Sequence, residues 1–101
     1  MSAITRHSFT LRVAAGKEAE YRQRHDEIWP DLVALQQRAG VRNFTLFQRG
    51  TDVVGYFEHD ASQAVISLAE FESEQLVRRW NKHMADIIES FGGKLLEVWH
   101  A

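Results

Sequence analysis

The amino-acid sequence predicts an α+β domain with the ferredoxin-like order β-α-β-β-α-β. Three observations indicate this order: an alternating segment near the N-terminus, a hairpin in the middle of the chain, and an amphipathic helical segment on either side of that hairpin. Helices in this order cover one face of an antiparallel sheet and leave the other face bare. We therefore expect a second copy to cover the bare face, which makes a homodimeric α+β barrel.

Four segments are predicted to form the strands of this sheet. Residues 4–13 alternate between apolar and polar side chains, which is typical of a half-buried strand. Residues 41–49 and 53–59 are rich in β-branched and aromatic residues, and residues 50–52 between them have the composition of a hairpin turn. Residues 94–100 are expected to form the last strand.

The first helical segment is residues 17–39, and Gly40 is well placed to end it. Pro30 lies inside this segment and cannot donate a hydrogen bond to the carbonyl of Asp26, so we expect a kink or a break near Trp29. The apolar residues of the segment fall within an arc of about 120° on a helical projection. They are Tyr21, His25, Ile28, Trp29, Leu32 and Leu35.

The second helical segment is predicted to be broken into two helices. Asp60, with Gln63 three residues later, resembles a capping box that starts a short helix ending at about Phe71. Ser73 is the expected cap of a second helix, and the glycine pair at 92–93 is expected to end it. The apolar stripe of this second helix is predicted to consist of Leu76, Trp80, Met84, Ile87 and Ile88.

Length and composition exclude several classes of protein. A chain of 101 residues predicts a single domain, residues 1–101. The net charge of −2 argues against a nucleic-acid partner, and no apolar stretch approaches the ~20 residues that cross a bilayer. The N-terminal segment lacks the apolar core of a signal peptide. The absence of cysteine excludes disulfides and cysteine-based zinc sites, which fits a cytoplasmic protein.

One face of the first helix carries side chains suited to chemistry. Tyr21, His25 and Trp29 are spaced four residues apart, so they lie side by side along the helix. Tyrosine and tryptophan combine an apolar body with a polar tip, which suits a neutral sugar, and histidine titrates near neutral pH. The same spacing is also typical of a core histidine among core aromatic residues. Spacing alone therefore leaves a sugar site and a packed core as alternatives.

Residues 21–30, with the sequence YRQRHDEIWP, resemble the signature of the L-rhamnose mutarotase family. That signature is a tyrosine, then arginine and glutamine residues, then a histidine, and then Ile-Trp-Pro. The resemblance continues over almost the whole chain. It implies a homodimeric α+β barrel that interconverts the α and β anomers of L-rhamnose by general acid–base ring opening and reclosure, with no cofactor and no metal.

The resemblance also implies roles for individual residues. His25 matches the proton-donating histidine, Tyr21 matches a sugar-contacting tyrosine, and Trp80 matches the first of two adjacent tryptophans that line the pocket. This chain departs from the pattern at two sugar-contact positions. Asn81 stands in place of the second tryptophan, and Phe44 stands in place of a tyrosine, so one hydroxyl is absent.

Three alternative functions stay open. The same chemistry on L-fucose or another deoxyhexose is one alternative, because a site that contacts a sugar through a hydroxyl is sensitive to losing it. A second is a non-catalytic sugar-binding protein. A third is a haem-type dimeric α+β barrel in which His25 ligates iron, since one fold hosts many functions.

Overall fold

The computed structural model describes residues 3–101, and it confirms the α+β prediction with an antiparallel sheet and helices on one side. Each helical region contains two helices, divided at residues 27–29 and at Glu74. None of the helices in the described part of the chain has the length and apolar character needed to span a membrane. In chain order the elements are β1 Ile4–Val13, α1 Glu18–Asp26, α2 Pro30–Arg38, β2 Val41–Arg49, β3 Asp52–Asp60, α3 Leu68–Ser73, α4 Gln75–Ala85 and β4 Ile88–Lys94.

The sheet has the order β2-β3-β1-β4, with all neighbours antiparallel. The register of β1 and β3 places Phe9 opposite Gly55 and Leu11 opposite Val53. A side chain at position 55 would collide with the Phe9 ring, which explains why a glycine occupies the middle of this strand. The first and third strands therefore pack as the centre of the sheet, with β2 and β4 at its edges.

The hydrophobic core lies between the helices and the sheet face that carries Phe9 and Leu11, which we call the inner face. The opposite face is the outer face, and it carries Arg6, Thr10 and Val54. Alternation along β1 sends every second side chain inward, as the sequence predicts. The buried cluster consists of Leu11, Val13, Tyr21, Val53, Met84 and Ile87.

The predicted helix starts in the second half of the chain were wrong. Asp60 is the last residue of β3, where its carboxylate accepts hydrogen bonds from the backbone and hydroxyl of Ser62. The capping box instead joins Ser67 to Glu70, and it starts α3. The N-cap of α4 is Glu74 rather than Ser73.

The predicted end of the last helix and the position of the last strand were also wrong. α4 ends at Ala85, so Ile87 follows the helix and Ile88 begins β4, opposite Val13. The glycine pair lies inside β4, where a side chain at position 92 would collide with Thr10. Pairing with β1 thus outweighed the helix-ending tendency of glycine. Residues 95–101 form no regular secondary structure, although Glu97 is paired with Arg6 at 2.7 Å.

Candidate functional site

The break before Pro30 determines where the side chains of the first helical region point. α1 ends at Asp26, and Pro30 is the first residue of α2. Trp29 has an extended backbone (φ −65°, ψ 125°), as expected for a residue that precedes proline. Because the helical periodicity stops here, Trp29 does not continue the row of Tyr21 and His25.

His25 is held by a hydrogen bond to its own helix. Its Nδ1 lies 2.9 Å from the carbonyl oxygen of Tyr21. A carbonyl oxygen only accepts, so Nδ1 must carry the proton in this bond. In the neutral ring the distal nitrogen, Nε2, then has a free lone pair, and in the charged ring it has a proton to give.

The hydroxyl of Tyr21 is neutral over the physiological pH range. The side chain is 4% exposed, and this burial raises the pKa of the phenol to about 12. Its ring lies 4.5 Å from that of His25 between centroids. Tyr21 therefore offers a phenolic donor beside the imidazole and does not act as an anion.

Trp80 of α4 forms the next part of the same surface. The His25 ring meets it edge to face, with centroids 5.5 Å apart and an interplanar angle of 82°. Trp29 meets Trp80 in the same manner at 5.2 Å and also contacts His83. Trp29 thus packs against Trp80, because the break at Pro30 turns it toward α4, and it is not among the residues that line the cavity described next. Its contact with a sugar stays a prediction.

The cavity beside these residues has a volume of about 210 Å³. The predicted residues Tyr21, His25, Phe44, Trp80 and Asn81 all line it. Its remaining surface is mostly apolar and comes from the inner face of the sheet and from α2, α3 and α4. A volume of that size holds roughly seven waters at about 30 Å³ each, a space suited to one small polar molecule among aromatic rings.

A second, larger cavity of about 520 Å³ adjoins the first and shares His25, Gln36, Phe44, Leu46 and Trp80 with it. Gln36 of α2 is a lining residue that sequence reasoning missed. The only indication in the sequence was a polar glutamine on a helix that packs against the sheet. Its amide supplies both a donor and an acceptor at the junction of the two cavities.

Arg24, the neighbour of His25 in the chain, joins α1 to the end of α4. Arg24 bonds Asp86 at 2.8 Å, Glu20 at 2.7 Å and the His83 carbonyl at 2.5 Å. These bonds lower the pKa of Asp86 and Glu20 and connect α1 to the end of α4. The two helices that carry His25 and Trp80 are thereby held together. Among residues 3–101, no group of three or more potential metal ligands is clustered.

Comparison with known proteins agrees with this geometry. The sequence model of the L-rhamnose mutarotase family matches residues 6–100. The chain belongs to the L-rhamnose mutarotase family. This confirms the resemblance seen in residues 21–30.

Individual members of the family support the same assignment. An L-rhamnose mutarotase of Agrobacterium fabrum is 38% identical over 91 residues, covering 89% of this chain and 83% of the relative. One from Flavobacterium johnsoniae is 34% identical over the same shares of the two chains. The crystal structure of an L-rhamnose mutarotase from Formosa agariphila has a TM-score of 0.77 at 23% identity. It covers 96% of this chain and 98% of the other, which shows the shared fold.

Proposed function

We propose that this protein is a mutarotase that interconverts the α and β anomers of L-rhamnose. The observation that carries the proposal is the hydrogen bond from His25 Nδ1 to the Tyr21 carbonyl. It fixes the ring so that Nε2, the nitrogen that can exchange a proton, is at the distal end, in a side chain that lines an aromatic cavity. Family membership indicates L-rhamnose as the sugar, and the oriented imidazole provides a group that can transfer the proton.

The reaction needs two proton transfers and one bond rotation. A general acid protonates the ring oxygen while a base removes the proton from the anomeric hydroxyl, and the bond between the anomeric carbon and the ring oxygen breaks. The open aldehyde then rotates about the bond between its first two carbons. The ring closes again on the other face of the aldehyde, which gives the opposite anomer. His25 Nε2 gives or takes a proton in this cycle, and positioned catalysis of this kind typically contributes ~10²–10⁴-fold.

The other lining residues bind the sugar. The rings of Trp80 and Phe44 offer apolar surface to the C–H faces of a deoxyhexose. The Tyr21 hydroxyl, which is protonated at neutral pH, donates a hydrogen bond to a sugar oxygen. The amides of Asn81 and Gln36 supply further donors and acceptors, so that buried hydroxyls are not left unpaired.

The decisive experiment is NMR saturation transfer between the two anomers of L-rhamnose, with the wild type and His25→Ala side by side. We expect acceleration by the wild type and a loss of roughly 10²–10⁴-fold in the variant. Circular dichroism controls for folding of His25→Ala. Full activity of a folded His25→Ala protein would remove His25 from the mechanism.

The same experiment separates the alternatives. L-Fucose is run as a second sugar, and faster exchange of L-fucose would assign the protein to that sugar. Binding of a sugar without faster exchange would support the non-catalytic alternative. A shift of the Soret band on haem titration would support the haem-type alternative.

We also propose that the protein is a homodimer, formed by one domain per chain, and acts in the cytoplasm, where enzymes of sugar metabolism would use its product. The outer face of the sheet supports a dimer, because Phe47 and Val54 lie opposite each other there and are 62% and 39% exposed. Leu96 and Trp99 in the C-terminal segment are even more exposed than Phe47.

Analytical ultracentrifugation tests the dimer. We expect twice the protomer mass of 11.7 kDa for the wild type, and the protomer mass for Phe47→Glu, because a carboxylate on a buried apolar face is costly. Phe47→Tyr, which keeps the ring, is expected to remain dimeric. A wild type that sediments as a protomer at micromolar concentration would contradict the proposal.

A further inference from the structure

Strand β2 contains an irregularity next to the candidate site. Val41 pairs with His59 and Arg42 pairs with Glu58, and regular pairing resumes with Thr45 opposite Tyr56. Two residues of β2, Asn43 and Phe44, therefore lie opposite the single residue between those partners. Asn43 has a φ of 52°, in the left-handed region, and this arrangement is a β-bulge.

The bulge decides which face of the sheet receives Phe44. Side chains alternate along a regular strand, so Val41 and Phe44, three residues apart, would lie on opposite faces. The extra residue reverses the alternation, and both lie on the inner face. The Phe44 ring is stacked on Phe57, with centroids 5.5 Å apart and an interplanar angle of 6°. It is tilted against the Phe9 ring, with centroids 6.1 Å apart. Without the bulge, the cavity would lose this ring.

A carboxylate on the outer face holds the bulge in place. Asn43 Nδ2 donates a hydrogen bond to Glu58 Oε1 at 2.9 Å, and the Tyr56 hydroxyl donates to Glu58 Oε2 at 2.8 Å. Arg42 Nε lies 3.3 Å from the same Oε1. The three donors lower the pKa of Glu58, so the carboxyl group stays ionised. Asparagine tolerates the left-handed conformation better than most residues, and here its amide is also anchored.

We propose that Glu58 is a positioning residue for sugar recognition, which acts through the Asn43 bulge to hold the Phe44 ring in the cavity. The inference rests on the proposed mutarotase function. Glu58 does not touch the sugar, because its carboxylate lies on the face of the sheet opposite the cavity. Phe44 lines the cavity, so the hydrogen bond from Asn43 to Glu58 controls the position of a ring to which the proposed function gives a contact with the sugar.

The test compares the steady-state kinetics of three proteins with those of the wild type. Glu58→Ala removes all three hydrogen bonds, and we expect KM for L-rhamnose to rise about tenfold, since bonds to a charged group are commonly worth that much in an equilibrium. We expect kcat to stay within about threefold, because His25 and Tyr21 are on α1. Glu58→Gln keeps an acceptor for Asn43 and is expected to restore KM to within about threefold of wild type.

The matched control is Asp52→Ala. Asp52 is at the start of the same strand, and its carboxylate pairs with Arg12 at 3.3 Å, far along the strand from the bulge. Both changes remove an ion pair on the outer face of the sheet, but only Glu58→Ala releases Asn43. We therefore expect Asp52→Ala to leave KM at the wild-type value, and an equal rise in KM for both variants would overturn the inference.

A measurement that does not depend on activity separates this inference from the proposed function. In protein labelled with 4-fluorophenylalanine, the ¹⁹F NMR signal of Phe44, assigned with a Phe44→Leu variant, is expected to shift or broaden in Glu58→Ala and to stay unchanged in Asp52→Ala. A wild type without mutarotase activity would overturn the proposed function, while an unchanged Phe44 signal in Glu58→Ala would overturn the positioning role.

Asn43→Gly provides a second route if Glu58→Ala does not fold. Glycine adopts the left-handed conformation readily, so the strand can still form the bulge and fold, but the bulge and the Phe44 ring are no longer held by a bond to Glu58. We expect the same rise in KM and the same change at Phe44. A folded Asn43→Gly protein with wild-type KM, or one that loses only kcat, would show that the bond to Glu58 does not position Phe44.

Discussion

The cavity has two walls that are built in different ways. The helical wall consists of Tyr21 and His25 on α1 and Trp80 on α4. The sheet wall is formed around Phe44 on β2. Helical spacing and a side chain-to-backbone bond place Tyr21 and His25 on the helical wall, whereas a bulge held by side chains of a neighbouring strand places Phe44. The difference teaches that, under the proposed function, the proton-transferring group is placed by local structure, whereas a sugar-contacting ring is placed by tertiary structure.

After His25, the largest effect is expected from Trp80, because it contacts both His25 and Trp29. Trp80→Ala removes the ring that faces the sugar and also frees the imidazole, so we expect kcat/KM for L-rhamnose to fall on the order of 100-fold. Trp80→Phe, which keeps an aromatic face, is expected to lose less than about tenfold. Activity of Trp80→Ala within about threefold of wild type would show that the helical wall does not include this residue.

A smaller effect is expected from Tyr21 and concerns stability against pH. Burial raises the pKa of this phenol from 10.0 to about 12 in the folded protein, so the folded state holds its proton more tightly than the unfolded state does. The stabilisation is fully present below pH 10 and is lost as the pH rises toward 12. The loss is expected to reach about 3 kcal/mol at most, from about 1.4 kcal/mol for each pKa unit.

Urea unfolding between pH 7 and pH 12 measures this loss, with Tyr21→Phe as the reference protein. We subtract the free energy of unfolding of the variant from that of the wild type. This difference is expected to stay constant up to about pH 10 and to fall above it. A difference that stays constant up to pH 12 would mean that the phenol is hydrated in the folded state.

The smallest effect is expected at the sheet wall. Phe44→Tyr adds a hydroxyl beside the cavity, and we expect the ratio of kcat/KM for L-rhamnose to that for L-fucose to change by about 3- to 10-fold, the usual contribution of one hydrogen bond. Phe47→Tyr is the matched control, because Phe47 lies on the same strand but on the outer face. Equal changes in both variants would show that Phe44 does not select the sugar.

The sequence analysis predicted most of the framework. The strands β1, β2 and β3 are where alternation and turn residues predict them, and the helix break is where Pro30 predicts it. The predicted start of α3 was wrong because Asp60 and Gln63 resemble a capping box. The predicted end of α4 and position of β4 were wrong because the glycine pair at 92–93 resembles a helix end. Gly92 instead permits close approach of β4 to Thr10, a contact between residues that are far apart in the chain.

Local sequence was enough to place Tyr21 and His25, because four-residue spacing within one helix puts side chains together whatever surrounds them. The roles of Trp29 and Phe44 were decided by the assembled structure. Trp29 supports Trp80 because a proline turns its backbone toward α4, and Phe44 reaches the cavity because Glu58, on the next strand, holds the bulge at Asn43. Such placements depend on which strands and helices become neighbours, and that is settled by the packing of the whole chain.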